Sequence, residues 1–146
     1  MIEVRSIYFA YEEKEVLHNI NLTIPDGEFV AIMGENGAGK TTLVKHFNGL
    51  LKPNRGEVLV DGTSTKKTTV ARLSRDVGLV FQNPDHQLFS ETVFEEVAFS
   101  MRNLGYPEET IRRRVEFILE TLDLSVYAEA SPFMLSGGER KRVALA

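Results

Sequence analysis

Gly34-Glu35-Asn36-Gly37-Ala38-Gly39-Lys40-Thr41 decides the reading of the fold. The stretch fits GxxxxGK[ST] at every specified position, and the pattern of the chain changes on either side of it. Before it, Pro25-Asp26-Gly27 reads as a turn, and Glu28 to Met33 as an apolar run of the kind found in a strand covered on both faces. After it, Leu43, Val44, Phe47 and Leu50/Leu51 recur at three and four, which predicts a helix from Lys40 to about Gly49, ended by Lys52-Pro53-Asn54. Strand, glycine-rich turn and helix are thus consecutive. Glycines at 34, 37 and 39 let successive N–H groups turn inward, and the helix start adds its positive dipole end. A polyphosphate is then held mainly by main-chain donors of Gly34, Asn36, Gly37, Ala38 and Gly39, with Lys40 as a point charge. The Thr41 hydroxyl suits Mg²⁺, and that of Thr42 an inner phosphate oxygen. The competing reading is a glycine turn before a helix-start lysine; the strand-to-helix context favours the phosphate cradle.

Working outward, Ile2, Val4, Ile7 and Phe9, then Val16, Ile20, Leu22 and Ile24, alternate well enough to predict two strands of an antiparallel layer. Gly56 to Gly62 reads as a strand and turn, Thr69 to Ser74 as a short helix, and Val77 to Phe81 as a second buried strand with Gln82 at its end. Past Asn83-Pro84-Asp85 the pattern is helical. Val93, Val97 and Met101 share a face, and Pro107 opens a segment with Ile111, Val115, Ile118, Leu119 and Leu122. Arg112, Arg113 and Arg114 follow Glu108 and Glu109, so a solvated basic turn is preferred to a nucleic-acid patch.

Composition narrows the function classes. A chain of 146 residues, 42% hydrophobic and 26% charged, has the make-up of a globular domain. With no cysteine, disulfides, thiolate zinc sites and thiol nucleophiles are excluded. No apolar run approaches the roughly 20 residues needed to span a bilayer. Seventeen Lys and Arg against 21 Asp and Glu give a net charge of -4, which argues against a nucleic-acid partner. His18, His46 and His86 are scattered without metal-ligand spacing, and His46 is expected to be structural.

Leu135-Ser136-Gly137-Gly138-Glu139 precedes a helix-favouring run and forms a second glycine-rich loop at a helix start. Ser136 and the N–H groups of Gly137 and Gly138 suit a phosphate, while Ser136 with Glu139 also fits a capping box; both readings can hold at once.

GENGAGKT, the Gln82 of VFQNPDHQLF, and LSGGERKRVALA, in that order, resemble the Walker A, Q-loop and signature motifs of an ABC ATPase. The segment Gln82 to Phe89, with Thr92-Val93 and Val97-Ala98-Phe99, is similar to the energy-coupling-factor and cobalt-type uptake ATPases, although His86 and Glu91 stand where that group usually has an acidic residue and a proline. The resemblance implies an α/β P-loop NTPase (RecA-like) core, an N-terminal antiparallel β layer and an α-helical signature subdomain. It further implies an ATP-binding core over 1–83, a Q-loop and helical subdomain over 84–138, and the start of the signature helix over 139–146. Lys40 and Gln82 are the implied catalytic residues, and ATP and Mg²⁺ the ligands, with Thr41 and Gln82 on the metal. Tyr11, preferred to Tyr8, stacks on adenine, and Ser136, Gly137 and Gly138 act on ATP held by a second ATPase subunit. Asn83 to Phe89 would receive a transmembrane permease, with Phe89 either an exposed anchor or part of the core.

The expected location is cytoplasmic, peripheral to the membrane. A non-transport ABC ATPase and a binding-only module are the alternative functions. The family places an apolar strand ending in Asp-Glu and a switch His after the signature, and none is found up to Ala146. The expectation is therefore truncation before the Walker B strand, with hydrolysis belonging to the intact protein. Asp61 ends Val58-Leu59-Val60 but precedes Gly62, and so reads as a turn residue, not a catalytic carboxylate.

Overall fold

The structure is a computed structural model describing residues 1–146, and it divides into two compact units, Met1–Leu79 and Val80–Ala146. In the first, β1 (Ile2–Tyr11) and β2 (Lys14–Ile24) form an antiparallel hairpin. The strands β3 (Arg55–Val60) and β4 (Thr63–Ser64) extend it to a four-stranded sheet of order β2-β1-β3-β4. The turn between β3 and β4 is Asp61-Gly62, both at positive φ (46° and 75°), as a two-residue hairpin turn requires. Asp61 is thereby the turn residue its sequence context predicts.

A bulge interrupts β1. Ser6 has φ 47°, the pairing with β2 shifts between Val4 and Ile7, and the freed Ser6 N–H donates to Asn21 Oδ1 at 2.9 Å. On the β3 side a Cβ at Gly56 would lie 2.2 Å from the Ser6 carbonyl oxygen, so the bulge can form only opposite glycine. Its consequence is to bring Val4, Ile7 and Phe9 to one buried face despite their uneven spacing. Leu43 and Phe47 of helix α1 (Lys40–Phe47) pack on that face with Leu17 and Val58. Thr69 caps the short helix α2 (Val70–Leu73) by accepting the Arg72 N–H.

Two expected strands are absent. Residues 28–33 and 77–81 are irregular, and Phe29 and Met33 are 96% and 89% exposed instead of buried. A strand is held by its ladder to a neighbour. Neither run is hydrogen-bonded into the four-stranded sheet, so an apolar pattern that suits a covered strand has no partner here.

In the second unit, α3 (Val93–Asn103), α4 (Glu108–Thr121) and α5 (Gly137–Leu145) surround a core that includes Val93, Ile111, Val115, Leu119, Leu124 and Val143. The Thr92 hydroxyl caps α3 by accepting the Glu95 N–H at 3.1 Å. Arg102, on α3, is shared between Glu95 and Glu108, the latter opening α4. Those two carboxylates hold its guanidinium well above its ordinary pKa, Glu108 contributing most. The basic run is solvated as expected, with Arg114 lying 5.4 Å from the centroid of the Tyr106 ring.

His46, on α1, is fully buried, with Nδ1 2.7 Å from the Thr42 carbonyl oxygen and Nε2 without a partner. A carbonyl only accepts, so Nδ1 carries a proton, and the buried Nε2, which has no acceptor for a second one, leaves the ring neutral. Burial pushes its pKa below 6.5, against the opposing effect of the Thr42 bond. The folded state therefore binds fewer protons than the unfolded state below that value. Its contribution is complete above pH 6.5 and lost as pH falls through the lower folded pKa. Urea unfolding across this range should show stability declining on the acid side, and His46→Phe should flatten that decline; an unchanged slope would contradict the neutral, buried assignment.

Candidate nucleotide site and signature loop

The phosphate loop enters α1 through Gly39, the N-cap residue, at φ 89°. A Cβ there would lie 3.0 Å from Leu17 Cδ2, 3.1 Å from Val16 Cγ1 and 3.3 Å from the Val16 carbonyl oxygen. Glycine thus serves twice, reaching a left-handed backbone and letting the helix start lie directly on β2. The first intrahelical bond follows, Leu43 N–H to Gly39 carbonyl at 2.8 Å. No side chain caps α1 and no acidic residue lies in its first turn, so the early N–H groups and the positive dipole end remain open to an anion.

Lys40 folds back over the loop. Its Nζ donates to the carbonyls of Gly34 at 2.8 Å and Glu35 at 2.7 Å, and the Ala38 N–H closes a turn on the Glu35 carbonyl at 3.2 Å. An ammonium has three donors, so one remains for an external oxygen. Asn36, Gly37 and Ala38 are exposed along the loop, and Thr41 is exposed in the first turn. Thr42 is buried, its hydroxyl 3.5 Å from the Tyr11 hydroxyl, which brings Tyr11 and the phosphate loop into one neighbourhood. Tyr11 is 45% exposed at the end of β1, whereas Tyr8 pairs with Arg55 of β3.

The second unit carries the remaining predicted residues. Gln82 is exposed just before the Asn83 turn, where Asn83 Oδ1 accepts the Asp85 N–H at 3.0 Å. The Ser136–Glu139 capping box is formed. Ser136 N–H donates to Glu139 Oε2 at 2.7 Å, and Glu139 N–H donates to Ser136 Oγ at 3.3 Å. Ser136, by side chain and backbone, and then the Tyr127 phenol hold the Glu139 carboxyl below its ordinary pKa. The N–H groups of Gly137 and Gly138 have no intrahelical acceptor, and the space beside both glycines is open. The cap is therefore formed without occupying the N–H groups of Gly137 and Gly138.

Phe89, left open between core and surface, is 59% exposed and meets Phe99 edge to face at 4.7 Å. Its N–H and that of Ser90 both donate to Glu96 Oε2, at 2.9 and 2.6 Å.

Contacts that no local sequence signal announces also shape these sites. Gln87 accepts the Phe81 N–H at 3.2 Å and donates to the Ala144 carbonyl at 3.0 Å, while Asp85 pairs with Arg140 at 3.2 Å. These bonds tie the segment after Gln82 to the signature helix α5, a link invisible to short-range periodicity because its ends are 57 residues apart. In the first unit Phe9 is buried against both Tyr11 and His46.

The family model described as ABC transporter matches residues 17–146. A Pyrococcus furiosus protein named as an ABC transporter ATP-binding protein is 56% identical over all of this chain and 56% of its own length. The cobalt import ATP-binding protein of Syntrophus aciditrophicus is 49% identical over all of the chain and 53% of its own. The solved structure of cbiO1 from Clostridium perfringens, part of the ABC transporter complex cbiONQ, superposes with a TM-score of 0.86 at 37% identity. That likeness covers 99% of this chain and 59% of the other. The chain spans about half the length of the curated relatives it matches.

Proposed function

The chain belongs to the ABC transporter ATP-binding family and has the α/β P-loop fold of that family, and we propose that it binds Mg-ATP to drive an importer of the energy-coupling-factor and cobalt type. One observation carries the reading: the uncapped start of α1 bears both Lys40, whose ammonium lies on the loop carbonyls of Gly34 and Glu35, and Thr42, whose hydroxyl lies 3.5 Å from that of the half-exposed Tyr11. In this reading Tyr11 stacks on adenine. Main-chain donors of Gly34, Asn36, Gly37, Ala38 and Gly39 hold the phosphates, Lys40 charges the terminal pair, and Thr42 bonds an inner oxygen.

The Thr41 hydroxyl is an exposed neutral oxygen of the hard type Mg²⁺ prefers, and in this reading it would hold the ion, with Gln82 as the further ligand that the family's Q-loop implies. When bound, Mg²⁺ would neutralise charge developing on the terminal phosphates. Gln82 orients the attacking water. No helix here is long and apolar enough to cross a membrane. In this reading transport is coupled through a permease received at Asn83 to Phe89. The exposed Phe89–Phe99 pair supports that assignment, because exposed aromatics anchor interfaces. The names of the cobalt import relative and of cbiO1, within its complex, support the importer class.

Ser136, Gly137 and Gly138 serve ATP on a second ATPase subunit, so that nucleotide joins two subunits head to tail. The open N–H groups at the start of α5 support this role.

Titration of the full-length protein with Mg-ATP should show Lys40→Ala weakening binding about 10- to 100-fold, the value of a hydrogen-bonded charge on phosphate. Equal affinity would remove Lys40 from the site. For Ser136→Arg, affinity for Mg-ATP should persist while ATP-dependent dimers disappear in light scattering; dimers that survive would contradict the role in the partner's site.

A further inference from the structure

Phe9 and Tyr11 lie two residues apart at the end of β1 and so project to the same side. Their rings meet edge to face, with centroids 4.8 Å apart and planes at 90°. The Phe9 ring also meets the His46 imidazole, likewise at 4.8 Å, at 80°. His46 is fixed in turn by its Nδ1–H bond to the Thr42 carbonyl, and Thr42 returns through its hydroxyl to the Tyr11 hydroxyl. Tyr11, Phe9, His46 and Thr42 therefore form a closed circuit joining the end of β1 to the first turns of α1.

The circuit constrains one ring in particular. Tyr11 is 45% exposed, and an aromatic ring at a strand end with an open side has several staggered orientations available. The Phe9 ring meets it edge to face and the Thr42 hydroxyl lies 3.5 Å from its phenolic oxygen, two contacts that favour one orientation. Phe9 is itself buried and cannot tilt without displacing His46, whose ring is fully enclosed. A platform held in its binding orientation loses less freedom when a base stacks on it.

We propose that Phe9 is a positioning residue for base recognition, setting the plane of the Tyr11 ring relative to the phosphate-binding helix. The inference rests on the reading of Tyr11 as the adenine platform. Phe9 touches no ligand. It acts through Tyr11, so its effect falls on the base and spares the phosphates.

The experiment compares Mg-ATP with Mg-tripolyphosphate, which offers the same phosphates without the base, on the full-length protein. Phe9→Leu, which keeps apolar bulk but removes the ring, should weaken Mg-ATP about three- to tenfold, the range of one aromatic pair, and leave Mg-tripolyphosphate within about twofold. Tyr11→Ala should show the same selective loss, and Phe9→Leu added to Tyr11→Ala should cost nothing further. Equal weakening of both ligands, no weakening of either, or full additivity with Tyr11→Ala would overturn the proposal. If Tyr11→Ala lowers ATP affinity selectively and Phe9→Leu does not, the proposal fails while the platform reading stands. If Tyr11→Ala itself leaves the ratio unchanged, both fail. Should Phe9→Leu not fold, nuclear Overhauser contacts between the Tyr11 and Phe9 rings in the wild type decide the matter. Their persistence in saturating Mg-ATP supports the proposal, and their loss overturns it.

Discussion

Contact between Gly39 and β2 is the constraint on which the first unit's site depends. A backbone turn at φ 89° with no Cβ lets the start of α1 lie on Val16 and Leu17. From that placement follow the direction of the open N–H groups, the reach of Lys40 back to Gly34 and Glu35, and the proximity of Thr42 to Tyr11. Phosphate recognition of this kind needs little side-chain chemistry; it needs a backbone that is held. The antiparallel sheet provides the hold, and the bulge at Ser6, permitted by Gly56, keeps Phe9 and Ile7 on the face where α1 packs.

The second unit solves a related problem with different means. The start of α5 is capped by Ser136 and Glu139, a reciprocal pair that satisfies two backbone donors and leaves those of Gly137 and Gly138 free. Gln87 and the Asp85–Arg140 pair then bind the segment following Gln82 to the same helix. The segment that carries Asp85 and Gln87, just ahead of the exposed Phe89, is thus joined to α5 by named contacts.

Much of this was legible in the sequence because the informative signals are local. GENGAGKT, LSGGE and the three-and-four spacing of Ile111, Val115, Ile118 and Leu119 each specify structure within a few residues, and the helices and loops form where they indicate. What the sequence did not disclose is pairing at a distance. Residues 28–33 and 77–81 carry the composition of buried strands, yet composition gives only a tendency, and without a hydrogen-bonded neighbour both runs stay irregular. The same limit hid the Gln87–Ala144 bond and the Phe9–His46 contact. Phe9 read simply as one apolar residue in an alternating strand, and only the fold places its ring against those of Tyr11 and His46.

The central claim is that the backbone of the phosphate loop receives the nucleotide. Its most direct test is the amide spectrum of ¹⁵N-labelled full-length protein titrated with Mg-ATP. The account predicts that the largest shifts fall on the amides of residues 34–42, with slowed hydrogen exchange at the start of α1. Saturating Mg-ATP that leaves those amides unmoved while shifting others would contradict it.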